Sequence, residues 1–269
     1  MPRLSGDIMT EDIATAGVLE LSGIDESGVL IATMDNPPAN AMNRALIRGL
    51  TELFVDLASG TDAPAVVLTG RGDRFFTAGG DIKELEGAEA SELDGRMRDF
   101  HALLTALDRY PRPVVGAVNG HCVGGGMELA LFTDGVLAVD HARFGFPEIN
   151  HGLLPADKGI QRAVKLLGAH TARNLLLTGE IFGIRRAVDI GLVERVVEPD
   201  RLLTVAVERA RTLAAKPAVL YAALKWSVNK PVDEDDGESL RATLSAAENY
   251  FDDPAAAAAR ARWSGRRDR

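Results

Sequence analysis

Two glutamates and two glycine-rich loops hold the chemistry that this chain could perform. Glu128 lies in "HCVGGGMELA" (121–130), where three consecutive glycines run straight into an apolar segment. Glycine supplies no packing and loses more conformational freedom on folding than any other residue, so three in succession imply a backbone shape other residues do not adopt. A carboxylate among Met, Leu and Ala is costly to bury unpaired. Either Glu128 points to solvent from the first turn of a core helix, or it is held in an apolar site for use. Glu148 follows Pro147 after the strand-like "ARFGF", beside Phe146 and Ile149; taken alone it also reads as a surface acid. Two carboxylates sharing an apolar site would differ in protonation, one serving as base and the other as acid, and would titrate as a pair.

The other glycine loop is "FFTAGGDIKEL" (75–85), with Gly79-Gly80 between an apolar run and a helix start. Asp81 suits the N-cap of that helix, with Glu84 three residues on as in a capping box. Both loops thus offer backbone N–H groups at helix N-termini, where anionic oxygen is favoured. Neither matches a phosphate-binding loop, since GxxxxGK[ST] and G-x-G-x-x-G are both absent, and no G-x-S-x-G elbow occurs. Two such donors converging on one oxygen would form an oxyanion hole for a carbonyl that becomes an enolate; sequence does not show whether they converge.

The elements that must position these groups alternate. Strand-like runs rich in Val, Ile and Leu fall at 17–24, 28–35, 63–70, 113–120 and 135–146, the first two joined by "DESG" as a hairpin. Helical stretches at 43–59 and 91–110 lie between them, the second with Met97, Phe100, Leu103, Leu104 and Leu107 at helical spacing. Such alternation predicts an α/β fold with largely buried sheets. Beyond about residue 200 the pattern turns helical, at 201–230 and 238–263, broken at Pro217 and Pro254. The expected organisation is a polar tail over 1–16, a core over 17–204 and a helical region over 205–269 that packs the core or contacts other subunits. No short-period repeat is evident.

The 269 residues are 46% hydrophobic, and 30 Lys and Arg against 39 Asp and Glu give a net charge of −9. This balance argues against nucleic acid or anionic membrane as a partner. A single cysteine, Cys122, excludes an internal disulfide and fits a reducing compartment; as a free thiol without a partner motif it reads as a small core hydrophobe. The five histidines (101, 121, 141, 151, 170) show no metal-ligand spacing. No stretch is apolar enough to span a bilayer, and the first residues lack a signal-peptide core, so a cytoplasmic location is expected.

The motifs "NPPANAMN" (36–43), "FTAGGDIKEL", "AVNGHCVGGGMELAL" and "FGFPEINHGLLP", continued by 177–202, resemble in order and spacing those of the enoyl-CoA hydratase/isomerase, or crotonase, superfamily over roughly residues 17–230. The resemblance implies a spiral of β-β-α turns with a helical C-terminal region that packs homotrimers, often dimers of trimers. It also implies an acyl-CoA thioester substrate, with coenzyme A entering as part of it, and no metal or redox cofactor. By the same resemblance, Gly80 and Gly125 supply the two oxyanion N–H donors, and substrate contacts are expected at Ala39 and from Ala78 through Gly80, Asp81, Ile82 and Lys83, with Lys83 either reaching a phosphate or simply exposed. His121 and His151 either line the acyl pocket or serve structure. Both glutamates that hydratases carry match here, Glu128 and Glu148, whereas isomerases commonly keep only the second. Hydration is therefore the expected reaction, with Glu128 assigned the water and Glu148 the proton to Cα, or the reverse. Isomerase, hydrolase and decarboxylase chemistry remain alternatives. A non-catalytic or RNA-binding use of the fold is disfavoured by the charge. The departure is "PADKG" (155–159) in place of a glycine-rich run: Ala156 replaces a glycine, and Asp157 and Lys158 either pair with each other or touch substrate.

Overall fold

A computed structural model describes residues 17–24, 28–60, 62–81, 84, 90–230, 254 and 258. Its strands form two sheets. The larger runs β1 (Leu19–Leu21), β2 (Val29–Met34), β3 (Ala65–Gly70), β5 (Val114–Val118), β7 (Gly135–Ala138), β10 (Arg195–Val196); the smaller runs β4 (Phe75–Thr77), β6 (His121–Val123), β8 (Arg143–Gly145), β9 (Ile181–Gly183). β1 pairs antiparallel with β2, as the hairpin reading requires, with Leu19 opposite Met34; residues 25–27 of the connecting loop lie outside the described set. Every other pairing is parallel except β8 with β9.

The chain order explains the two sheets. β3 enters the large sheet, β4 the small one, and α2 (Ala90–Arg109) returns the chain to β5; β5, β6 and α3 (Gly125–Leu131) repeat the step, and β7 and β8 start a third. This is the β-β-α spiral of the crotonase fold. All residues of β3 and β5 are buried, as befits parallel strands covered on both faces. Asn119 pins the crossing between sheets: its Oδ1 accepts from Gly70 N–H at 3.0 Å, and its Nδ2 donates to Gly70 and Gly72 carbonyls at 2.9 and 2.8 Å.

Two expectations need correction. Residues 135–146 are not one strand but two, β7 and β8, in different sheets with a turn over 139–142 closed by Ala142 N–H to Val139 C=O at 3.2 Å. The short strands β4, β6 and β9 carry too few residues each for periodicity to reveal them. On α2, Phe100, Leu103, Leu104 and Leu107 are buried as expected, but Met97 is 37% exposed and its neighbour Arg96 is only 5% exposed. The inward face therefore begins one residue earlier than the apolar spacing suggests.

α1 (Arg44–Ser59) buries Leu46, Ile47, Leu50, Leu53, Phe54 and Leu57 on one stripe and is capped by Asn43, whose side chain accepts from Leu46 N–H at 2.9 Å. After β8 a 3₁₀ turn (Pro147–His151) leads to α4 (Asp157–Leu167), α5 (Ala169–Thr178) and α6 (Ile184–Asp189). α7 (Leu202–Ala214) lies on β3 and β5, burying Leu202, Val205, Ala206 and Ala210. The expected boundary at 204/205 falls inside this sheet-covering helix. Past Pro217, α8 (Ala218–Asn229) buries only Lys225 and leaves Leu224, Trp226 and Val228 exposed. The polar tail 1–16 and most of the helix expected over 238–263 lie outside the described residues; Pro254 and Ala258 are helical. No helix among the described residues is long and apolar enough to cross a membrane.

Candidate active site

The two glycine loops meet. Gly79, at φ +85°, lies so close to the second loop that a Cβ there would stand 2.9 Å from Val123 O and 3.1 Å from Gly125 N. β4 and β6 are paired in the small sheet, and each delivers its loop at the same end. Met42 joins them. It bridges to Gly80, with its N–H on Gly79 C=O at 2.8 Å, and its Cε lies where a Cβ on Gly125 would come within 2.5 Å. Gly125 is the first residue of α3, where N–H groups have no acceptor within the helix.

The glycine run now has residue-by-residue reasons. Gly124 adopts φ 59°, ψ −130°, and a Cβ there would sit 2.9 Å from Glu148 Oε1. Gly126 packs on Thr77, leaving 2.7 Å to its Cγ2. Only residues without side chains allow Glu148, Met42 and β4 to crowd this turn together.

Gly80, Gly125, Glu128 and Glu148 all line one cavity of about 610 Å³. Its apolar wall comes from Met42, Met97, Phe100, Leu153 and Leu154, and Arg96, His101 and Asp157 add polar groups. Glu128 is 2% exposed; it does not point to solvent. Its Oε1 accepts the Ala156 N–H at 2.9 Å, at the N-terminus of α4, where a negative charge is favoured. The same oxygen would lie 2.1 Å from a Cβ at Gly159, one turn further on. Burial, then the charge of Glu148, raise the Glu128 carboxyl well above the usual carboxylate range, against the opposing Ala156 bond. Burial pushes Glu148 up to about 6, and its Oε2 is a buried oxygen with no hydrogen-bond partner among the described residues. The structure thus brings the two carboxylates into one apolar pocket, each favouring its proton.

The remaining expected residues fall around this centre. Ala39 and Ala78 are linked, Ala78 N–H to Ala39 C=O at 3.0 Å. Asp81 C=O accepts the Glu84 N–H at 3.2 Å, while the Glu84 carboxylate accepts from Arg44 N–H at 3.0 Å and from Arg96 Nη1 at 2.6 Å. Ile82 and Lys83 lie outside the described residues. Asp157 and Lys158 do not pair with each other: Asp157 accepts from Gln161 Nε2 at 2.6 Å, and Lys158 turns to Asp108 at 3.2 Å. Cys122 is buried, its Sγ donating to Gly126 C=O at 3.2 Å. Arg96 escaped the sequence reading because nothing in its immediate sequence separates a buried arginine from a solvated one. Gly159 had a signal, a glycine within a helix, where its cost against alanine asks for a packing reason.

The family model for enoyl-CoA hydratase/isomerase matches residues 25–268. The chain belongs to the enoyl-CoA hydratase/isomerase family. A carnitinyl-CoA dehydratase from Salmonella arizonae is 36% identical over 223 residues, covering 83% of this chain and 85% of that one. A short-chain-enoyl-CoA hydratase from Clostridium acetobutylicum is 33% identical over 80% of this chain and 83% of its own length. Among solved structures, an enoyl-CoA hydratase of Mycobacterium smegmatis superposes with a TM-score of 0.80 at 29% identity, covering 89% of this chain and 93% of that one. Crotonase-type acyl-CoA chemistry follows for this family member.

Proposed function

We propose that the protein is an enoyl-CoA hydratase, adding water across the 2,3 double bond of a 2-enoyl-CoA thioester without metal or redox cofactor. The observation that carries this reading is the meeting of both carboxylates and both glycine donors in one cavity. The thioester oxygen lies on the N–H groups of Gly80 and Gly125, which strengthen their hold as it becomes an enolate. Position divides the glutamates. Glu148 lies against the oxyanion loop, nearest the carbon next to the thioester, so it serves Cα; Glu128, against Ala156 and Gly159, serves the water at Cβ. The pair carries one proton, which rests on Glu128, the further raised of the two, and passes to Glu148 before reaction. Glu128 then accepts a proton as the water oxygen bonds to Cβ, and Glu148 gives one to Cα. The pair's proton count is unchanged, and the product gains one H and one OH. The coenzyme A moiety runs past Ala39 and the segment from Ala78 through Asp81 to Ile82 and Lys83.

The "PADKG" departure keeps this machinery. Ala156 contributes its N–H to Glu128, and Lys158 faces away to Asp108. Isomerisation moves one proton and needs one base, so it leaves the tightly held Glu128 without a task. The exposed apolar residues of α8 support the expected homotrimer or dimer of trimers, which sedimentation velocity would test.

Loss of enone absorbance with short, medium and branched 2-enoyl-CoAs tests the reaction. Turnover to the 3-hydroxyacyl product is expected. A shifted double bond, free CoA or CO₂ as the product would transfer the assignment to isomerase, hydrolase or decarboxylase chemistry.

A further inference from the structure

Arg96 has no place in the chemistry so far, yet it sits in the cavity wall as a buried cation. A guanidinium at 5% exposure carries a heavy desolvation cost that only good partners offset. Its partners are specific. Nη2 donates to Met42 C=O at 2.5 Å, and Nη1 to Glu84 Oε2 at 2.6 Å. Glu84 in turn accepts the backbone N–H of Arg44, the first residue of α1.

Met42 touches both proposed donors. Its backbone bridges to the Gly79-Gly80 loop, and its side chain packs on Gly125. The two glycines themselves cannot fix their own orientation, having no side chains to pack. Something must therefore hold Met42, and its carbonyl is held by Arg96.

From this geometry we propose that Arg96 is a positioning residue for the oxyanion hole: through the Met42 carbonyl it fixes the spacing and aim of the Gly80 and Gly125 N–H groups. The inference rests on the oxyanion reading of this cavity. Arg96 does not touch the reacting atoms in this scheme. Its route is not through the carboxylates either: burial raises both, the charge of Glu148 adds to the rise at Glu128, and backbone N–H groups oppose it.

The test separates these roles. Butyryl-CoA labelled with ¹³C at the thioester carbonyl has no double bond to hydrate, so its infrared carbonyl band reports the oxyanion hole independently of turnover. Bound to the native protein, the band should move to lower frequency. In Arg96→Leu the displacement should at least halve, and kcat on a 2-enoyl-CoA should fall by about 10- to 100-fold, since misplacing donors costs somewhat less than removing one. KM should stay within about threefold, the pattern of a transition-state interaction. Arg96→Lys, able to reach one acceptor, and Glu84→Gln, which loosens the guanidinium from outside the cavity, should each give a smaller displacement loss. These two serve if the leucine variant fails to fold. An undiminished band displacement in the folded variants overturns the proposal, as does a moved acid limb of the pH profile with the band unchanged. A native protein that displaces the band but hydrates no 2-enoyl-CoA removes the hydratase reading alone. One that binds butyryl-CoA without displacing the band removes the oxyanion hole and the role of Arg96 with it.

Discussion

At Glu148 one residue's environment bears on both the proposed activity and the stability. Its carboxyl is raised from 4.5 to about 6 by burial, so the free protein loses its last carboxylate base as pH falls through about 6. The log of kcat/KM should drop by about one per pH unit below that point, and at higher pH activity should fall again as the pair gives up the proton that burial holds on Glu128. Each of Glu128→Gln and Glu148→Gln should reduce kcat by about 10²–10⁴-fold. The stability effect has the opposite sign. A folded-state carboxyl above its unfolded value holds its proton more tightly when folded, so the stabilisation is complete below about pH 4.5 and lost as pH rises through 6. The 1.5-unit difference is at most about 2 kcal/mol. Glu148→Gln should therefore melt higher than the native protein at pH 8, and the gap should shrink by pH 4.5. Differential scanning calorimetry at the two pH values decides this; an equal gap at both would mean that Glu148 is not carrying a buried charge.

At the scale of elements, α4 owes its position to a missing side chain. Replacing a helical glycine by alanine ordinarily stabilises by roughly 0.5–1 kcal/mol. At Gly159 the added Cβ would stand 2.1 Å from Glu128 Oε1, so the carboxylate or the whole helix must shift. Gly159→Ala should thus lower kcat more than tenfold while returning none of the usual helix gain, as read from steady-state kinetics beside a thermal melt. Full activity with a raised melting temperature would show that Glu128 works from another position. The same scale explains what the sequence made legible. Long periodic segments such as 43–59 and buried strands such as 63–70 declare themselves by composition. β4, β6 and β8 have three residues each, too short for a period, and they are the elements that bring the glycine loops together. The one-residue error on the face of α2 has a related cause: apolar spacing located Met97, but pairing with Glu84 and Met42 let Arg96 take the buried place. The two glutamates and the glycine runs could be named from residue type; their convergence is a product of the small sheet alone.

Across the whole molecule, the cavity lies between helices that belong to different turns of the spiral, and one ionic junction ties them. Asp108 of α2 accepts from Arg162 and, at 3.2 Å, from Lys158, both of α4. Arg162 also donates to Asn229 of α8 at 2.6 Å and stacks over Phe132, at the end of α3, at 4.3 Å. Lys165 of α4 reaches the Lys230 carbonyl at 2.7 Å. Helices contributing Arg96, Glu128 and Asp157 to the cavity are thus joined behind it. Removing one partner of a buried pair usually costs about 3–5 kcal/mol because a charge is left stranded. Asn229 and Phe132 would still serve Arg162 here, so Asp108→Ala should cost less, about 2–3 kcal/mol. For a chain of this size that lowers Tm by roughly 4–10 °C. Arg71 provides the contrast: it pairs with Glu20 and Asp35 at the surface with about half its side chain exposed, and such pairs contribute about 1 kcal/mol or less. Arg71→Ala should therefore change Tm little, and what it changes should vanish in high salt, whereas the Asp108→Ala deficit should persist there. A salt-sensitive deficit at Asp108, or none, would mean that apolar packing alone sets the helices around the cavity; a persistent one makes the junction the fixed frame against which both glutamates are held.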